Sequence, residues 1–174
     1  NRTGAGGQLA LSHVKDAPAD GSVLLLVPSS HVAVYPHTYR KLPYHPVEDF
    51  APVSLVAHAN MAFGVGPMVP ASVKTLADYL AWAKANPAQA SYGSPAPGSI
   101  AHLLAAYVGS TSGVPLTHIP YRGSTAALQD LRGGTLPAHS GPAGVFLPLL
   151  GTGQIRLLCV SGEARSRFLP NVPT

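Results

Sequence analysis

Charge is scarce in this sequence. Only 10% of its 174 residues are Asp, Glu, Lys or Arg, against about 25% in an ordinary soluble domain. The acids are Asp16, Asp20, Glu48, Asp49, Asp78, Asp130 and Glu163, and no two are spaced as a catalytic pair. The bases are scattered without an aromatic-interleaved stripe, which argues against nucleic acid as a partner. The lone Cys159 excludes an internal disulfide. It sits in the apolar run Ile155 to Val160 and reads as a buried, inert thiol rather than a nucleophile. No run of about 18 apolar residues exists to cross a membrane as a helix. No apolar segment follows Asn1-Arg2-Thr3-Gly4, so a signal peptide is not evident. Either a leader has been removed or the chain is not exported.

Enzyme and metal signatures are missing too. There is no G-x-S-x-G elbow, no Walker A loop and no G-x-G-x-x-G after a strand. None of the eight histidines has a close metal-ligand spacing. We expect neither metal nor cofactor.

Apolar residues make up 46% of the chain, with 18 Gly and 18 Pro punctuating short elements. Ser22 to Val27 reads as a buried central strand, with Ser29-Ser30-His31 at its carboxyl end. Residues 35–50 carry three prolines and should be irregular. A second strand is expected at Ala51 to Ala57, continuing beyond a polar break to Gly66. From Ser72, taken as a cap, the period becomes helical, with Leu76, Tyr79, Leu80 and Ala83 on one face. Strands at Ala88–Gly93, Leu116–Tyr121, near His139 and at Ile155–Val160 alternate with helices. Those helices are capped at Ser99 and Ser124 and started at Pro142. In the Ser99 helix, Ile100, Leu103, Leu104, Tyr107 and Val108 should face inward. In the Ser124 helix, Leu128 and Leu131 should, with Gly133-Gly134 as its stop. This alternation predicts an α/β fold with a parallel sheet and helices on both faces.

Three strand–helix junctions carry the chemistry. Ser94-Pro95-Ala96-Pro97-Gly98-Ser99 supplies hydroxyls, a glycine that lets a ligand approach, and the free N–H groups of Ser99, Ile100 and Ala101. Tyr121-Arg122-Gly123-Ser124 and His139-Ser140-Gly141-Pro142 repeat the arrangement. Side by side they would line a cleft that holds an anion by hydrogen bonds. A plain capped turn is the competing reading of each. His102, in the first turn after Ser99, reads as a structural hydrogen-bonding residue.

Colinear blocks along the whole chain resemble a known family. They are Asn1-Arg2-Thr3-Gly4-Ala5-Gly6-Gly7, Pro18-Ala19-Asp20-Gly21, Leu42-Pro43-Tyr44, Asp49-Phe50-Ala51-Pro52-Val53, Gly98-Ser99 with His102-Leu103, Ile119-Pro120-Tyr121-Arg122-Gly123, Asp130-Leu131-Arg132-Gly133-Gly134 and Arg167-Phe168-Leu169-Pro170-Asn171-Val172-Pro173-Thr174. The family is that of the Bug-type extracytoplasmic solute receptors of tripartite tricarboxylate transporters. The resemblance implies a periplasmic-binding-protein-like fold of two α/β lobes. It implies a periplasmic receptor, not an enzyme, that captures a small carboxylate and delivers it to membrane permease subunits. By resemblance, Ser94, Gly98, Ser99, Ile100 and His102 would hold one carboxylate. Ser29, Ser30 and His31 would face it from the first lobe, and Ser140 and Gly141 would line its distal end.

Family members are nearly twice this length, and Thr135-Leu136-Pro137-Ala138 stands where an acid usually follows the Gly-Gly turn. The expected organisation is a remnant of the first lobe at 1–61, a nearly complete second lobe at 62–160, and a return crossing at 161–174. A first lobe cut at both ends would leave strand edges bare, so a homodimer through that part, or disorder of residues 1–50, is expected. Two other readings stand beside the receptor. One is a small hydrolase-like enzyme with Ser94 or Ser140 as nucleophile and His102 or His139 as base. The other is an interaction module that binds no solute.

Overall fold

The computed structural model describes residue 2 and residues 4–174. Its centre is a five-stranded sheet of β1 (Met61–Val65), β2 (Ser91–Ser94), β3 (Thr117–Pro120), β4 (Ala138–Pro142) and β5 (Arg156–Val160), in the order β3-β2-β4-β1-β5. N-terminal to it lie α1 (Gln8–Lys15), a π-helical turn at Ser30–Val34 and α2 (Tyr35–Thr38). The sheet elements are joined through α3 (Leu76–Ala85), α4 (Ile100–Ser112), α5 (Ser124–Gly133) and α6 (Leu147–Leu150).

The sheet is mixed, which corrects the all-parallel expectation. β2 runs parallel to β3 and β4, whereas β1 runs antiparallel to both β4 and β5. The parallel rule applies to strands joined by a crossover helix within the sheet. β1 and β2, though joined through α3, are not neighbours, and β1 inserts between two strands that follow it in sequence.

Neither strand expected before residue 60 forms. Residues 22–28 and 51–59 take no regular secondary structure and have no ladder partner among the described residues. Leu24 and Leu26 are 76% and 80% exposed, and Val53, Leu55 and Val56 are exposed as well. An apolar run alone does not make a strand, which also needs neighbours for its N–H and C=O groups.

Helix starts are set by reciprocal hydrogen bonding. Thr75, not Ser72, caps α3: its Oγ1 accepts from the Asp78 N–H at 3.1 Å, and the Thr75 N–H donates to Asp78 Oδ2 at 2.9 Å. Such a box is best made by a carboxylate or amide three residues past the cap, which Thr75 has in Asp78, whereas Ser72 has only the hydroxyl of Thr75, itself engaged by the Asp78 N–H. Ser99 caps α4 as expected, and Gly113 closes it in the left-handed region at φ 68°. Ser124 is the first residue of α5 rather than its cap. The cap is Gly123, and it offers no side-chain acceptor.

Packing also shifts one expected face, leaving Ile100, Leu104 and Val108 half-buried. The buried side of α4 is Ala101, Ala105 and Gly109, whereas Leu103 and Tyr107 face outward, Tyr107 at 66% exposure. The helix lies so close that a Cβ on Gly109 would sit 3.0 Å from the Val114 carbonyl oxygen, and Ser140 Oγ reaches the Ala101 carbonyl at 2.7 Å. Only small residues fit there.

Two cores flank the sheet. Phe63, Val65, Tyr79, Tyr92, Ala105 and Leu158 fill one. Ala62, Leu128, Leu131, Leu136, Phe146 and Val160 fill the other, and Leu169 joins them. Each large side chain buried this way contributes about 1.5–3 kcal/mol. Residues entering and leaving the sheet are clasped: the Met61 N–H donates to Ser161 Oγ at 2.8 Å, and the Ser161 N–H to the Met61 carbonyl at 2.7 Å. The C-terminal segment then folds back, with Pro173 O accepting from the Val160 N–H at 2.9 Å.

Candidate functional site

The N-terminal segment docks on the loop from β2 to α4. Tyr39 Oη donates to the Pro97 carbonyl at 2.9 Å, and Thr38 Oγ1 lies 3.4 Å from the Gly98 carbonyl. Ser30 Oγ accepts from the Ile100 N–H at 3.2 Å. Two parts of the chain far apart in sequence therefore meet at the start of α4, where partial positive charge collects.

The loop is held from beneath. Ser94 is fully buried, with its Oγ 2.8 Å from His118 Nε2. Ser99 Oγ donates to the Ala96 carbonyl at 2.7 Å and accepts from the His102 N–H at 3.4 Å. The Gly98 N–H donates to His102 Nδ1 at 2.9 Å, so His102 has the structural role read for it, and its neutral form carries its proton on Nε2. Gly98 takes φ 71°, and a Cβ there would meet Thr38 Oγ1 at 2.9 Å. Burial pushes the His102 imidazole down. Burial, and then the neighbouring His102, push His118 down to about 4. Both rings are therefore neutral near pH 7.

The structure brings Ser30, Ser94, Gly98, Ser99, Ile100 and His102 into one neighbourhood. Ser29 is exposed and caps no group by its side chain. His31 is buried and faces backbone instead of the loop: Nε2 lies 2.8 Å from the Gly6 carbonyl and Nδ1 3.1 Å from that of Pro28. Ser140 and Gly141 point to opposite faces of the sheet, as neighbours in a strand must. Ser140 Oγ is committed to the Ala101 carbonyl. Gly141 faces the start of α5, where a Cβ would lie 2.7 Å from His139 Nε2 and 3.4 Å from Ser124 Oγ.

Sequence reasoning did not assign roles to His118 and His139 in this way. His139 and Gly141 stand two apart in a strand and so share a face, which was a readable signal. His118 is brought to Ser94 by the register of β2 with β3, which pairs Tyr92 with His118. The sequence does not state that register.

Ser94 and His118 do form a Ser–His contact, though with a different histidine from those expected to act as a base. The serine has no exposed surface for a substrate to reach. Ser140 is equally buried, and His139 Nδ1 is spent on the Gly93 carbonyl at 3.0 Å. Burial pushes the Cys159 thiol up, in keeping with an inert residue. Among the described residues no group of three or more His, Cys, Asp or Glu is placed to hold a metal ion. Among those residues no helix is long and apolar enough to cross a membrane.

Residues 1–174 match the tripartite tricarboxylate transporter family receptor, TctC. The chain belongs to this receptor family. It is 35% identical over 175 aligned residues to the UPF0065 protein in the gbd 5′ region of Cupriavidus necator, covering all of this chain and 52% of that one. It is 34% identical to the protein BugT of Bordetella pertussis, covering all of this chain and 53% of that one. The chain thus spans about half the length of the curated relatives it matches. Among solved structures, an R. palustris protein solved with adipate superposes at a TM-score of 0.94 with 33% identity, over all of this chain and 57% of its own. The periplasmic binding protein BugD superposes at 0.90 with 26% identity, again over all of this chain and 57% of its own. The α/β architecture is that of the receptor family's periplasmic binding proteins.

Proposed function

We propose that the chain forms part of a periplasmic solute receptor that captures a small carboxylate and delivers it to the permease subunits of a tripartite transporter. The observation that carries this reading is the contact between Ser30 Oγ and the Ile100 N–H at the start of α4. There a hydroxyl oxygen occupies the acceptor position that a carboxylate oxygen would take. A carboxylate accepts more strongly than a hydroxyl, because a charge-assisted hydrogen bond is roughly twice as strong as a neutral one. The adipate found with a 33%-identical relative supports a carboxylate as the solute class.

In this reading residues 1–61 belong to one lobe and 62–160 to the other, and 161–174 return toward the first. Gly98, Ser99 and Ile100 present the helix start, and Ser94 and His102 hold the loop in shape. Ser30 closes from the other side with Ser29 beside it, His31 anchors that segment on the Gly6 and Pro28 carbonyls, and Ser140 and Gly141 support the distal end. Capture rather than catalysis fits a fully buried Ser94. The 174-residue polypeptide by itself would cover Leu24, Leu26, Val53, Leu55 and Val56 by pairing with a second copy.

Calorimetry of the full gene product against four- to six-carbon di- and tricarboxylates tests the reading. Saturable heat with at least one of them is expected. A folded protein giving neither heat nor thermal shift with any of them would overturn it.

A further inference from the structure

The peptide unit between Pro97 and Gly98 has a different partner at each end. Its N–H donates to His102 Nδ1 at 2.9 Å, and its carbonyl accepts from Tyr39 Oη at 2.9 Å. A peptide unit is one rigid plane whose N–H and C=O point opposite ways, so the two bonds change together. One end is held by α4 and the other by the N-terminal segment.

The same unit is the centre of a turn that has two forms. The Ser99 N–H donates to the Ala96 carbonyl at 3.3 Å, Pro97 holds the second position, and Gly98 stands in the third at φ 71°. That is the pattern of a type II turn. Turning the central peptide over gives a type I turn, and proline at the second position suits both. Glycine at the third accepts either sign of φ. Pro97 is exposed and Gly98 half-buried, so the movement disturbs no core.

His102 is the partner whose role reverses with a proton. Neutral, its Nδ1 accepts from Gly98. Protonated, Nδ1 becomes a donor, and two donors would then face each other at 2.9 Å. The peptide turned over would present the Pro97 carbonyl to that cation instead, as a charge-assisted acceptor. His118 has no such conflict. Its Nε2–H can donate to Ser94 Oγ, whose own hydroxyl has the Ala96 carbonyl at 3.4 Å. The titratable groups around His102 are His118 on β3, 3.9 Å away between ring centroids, and Tyr92 on β2. The segments bonded to the loop add Tyr39, Tyr121 and Arg122, with Tyr121 Oη spent on Asp130 at 2.7 Å. Burial lowers the His102 ring from the ordinary value of 6.5, so it takes its proton in acid.

We infer that the Pro97–Gly98 peptide is a two-position switch set by the protonation of His102. Its carbonyl faces Tyr39 when the ring is neutral and His102 Nδ1 when the ring is protonated. Acid thereby takes the acceptor away from Tyr39 and loosens the N-terminal segment from the start of α4. The switch goes beyond the receptor reading and does not depend on it, since every contact in it lies within the chain. Where that reading holds, acid parts the two sides of the candidate site.

The dipeptide Pro-Gly occurs once in the 174 residues, which makes this peptide easy to follow. The full gene product is labelled with carbonyl-¹³C proline and ¹⁵N glycine, and Gly98→Ala identifies the signal by removing it. Between pH 7.5 and 5 the Pro97–Gly98 signal is expected to shift in step with the ¹⁵N resonance of His102 Nδ1. The protection factor of the Tyr39 amide, which bonds the Tyr35 carbonyl, should fall with it. His102→Asn offers Gly98 an acceptor that takes no proton, and it should abolish the pH dependence of both. Gly98→Ala disfavours the positive φ of the type II form and should lower the Tyr39 protection already at pH 7.5. A Pro97–Gly98 signal that stays in place while His102 titrates would overturn the inference. So would a pH-dependent movement that survives His102→Asn. Should that variant fail to fold, the wild-type titration still decides.

Discussion

His102 and His118 lie ring over ring, with centroids 3.9 Å apart and planes 24° from parallel, beneath the turn at Gly98. One ring accepts from the Gly98 backbone and the other meets Ser94. A proton on His102 Nδ1 would remove the acceptor of the Gly98 N–H and place a charge against a second imidazole. The pair therefore ties the shape of the loop to both rings being neutral.

Acid should weaken the fold in a defined window. His118 and His139 are both lowered to about 4, from the ordinary value of 6.5. The unfolded chain then binds more protons than the folded one between those values. Stability is full above about pH 6.5 and falls as pH drops toward about 4. The slope is at most about 1.4 kcal/mol per pH unit for the fully buried His139 and smaller for His118, which is half-buried and screened by solvent. Urea unfolding at pH 7.5, 6 and 5 checks this, and His139→Phe should flatten part of the slope. An unfolding free energy unchanged across that range would contradict it. The protection factor of the Gly98 amide should also be lower at pH 5 than at pH 7.

The two candidate caps of α3 are separable by mutation. Thr75→Ala removes one half of the reciprocal box and should cost about 1 kcal/mol. Ser72→Ala, at an exposed position, should stay within about 0.5 kcal/mol of wild type. Thermal melts of the two variants measure the difference, and equal losses would refute the assignment.

Gly98→Ala forces a side chain into the left-handed region at φ 71° and against Thr38 Oγ1. A cost of about 1–3 kcal/mol is expected. Because the clash is with the N-terminal segment, hydrogen exchange at residues 30–39 should rise more than in the cores. Uniform exchange throughout the chain would show that the glycine does not couple the two parts.

Phe146→Ala should cost about 3–5 kcal/mol, because this ring is fully buried against His139 and packs the second core. A chemical-denaturation midpoint near that of wild type would argue against the packing described.

The 174-residue polypeptide alone should scatter light as a dimer. Its exposed Leu24, Leu26, Val53, Leu55 and Val56 favour association. Replacing Leu24 and Leu26 by Ser should shift it to monomer. A monomer in both cases would refute the pairing.

Much of the sheet was legible in advance. Gly113 and Gly134 mark helix ends because only glycine takes the left-handed cap cheaply, and Ser99 marks a start because its hydroxyl accepts a free N–H. The direction of β1 was not legible, since strand direction depends on where a chain re-enters a sheet and not on its side chains. The inward face of α4 was misread for a related reason. Size favours Leu103 and Tyr107 for burial, but close approach to the sheet favours Ala101, Ala105 and Gly109. Within the site, the loop at Ser94 to Ser99 could be found from its composition. Its support by His118 required knowing the β2–β3 register.

The clasp between Met61 and Ser161 has a mechanical consequence. A sheet tethered by one strand of chain could swivel about that tether in any direction. Here the incoming and outgoing segments are bonded side by side as a narrow ribbon. A ribbon flexes readily across its flat face and stiffly along its width. Bending of the two segments against the sheet is thereby favoured across the flat face of the ribbon over twisting or shearing along its width.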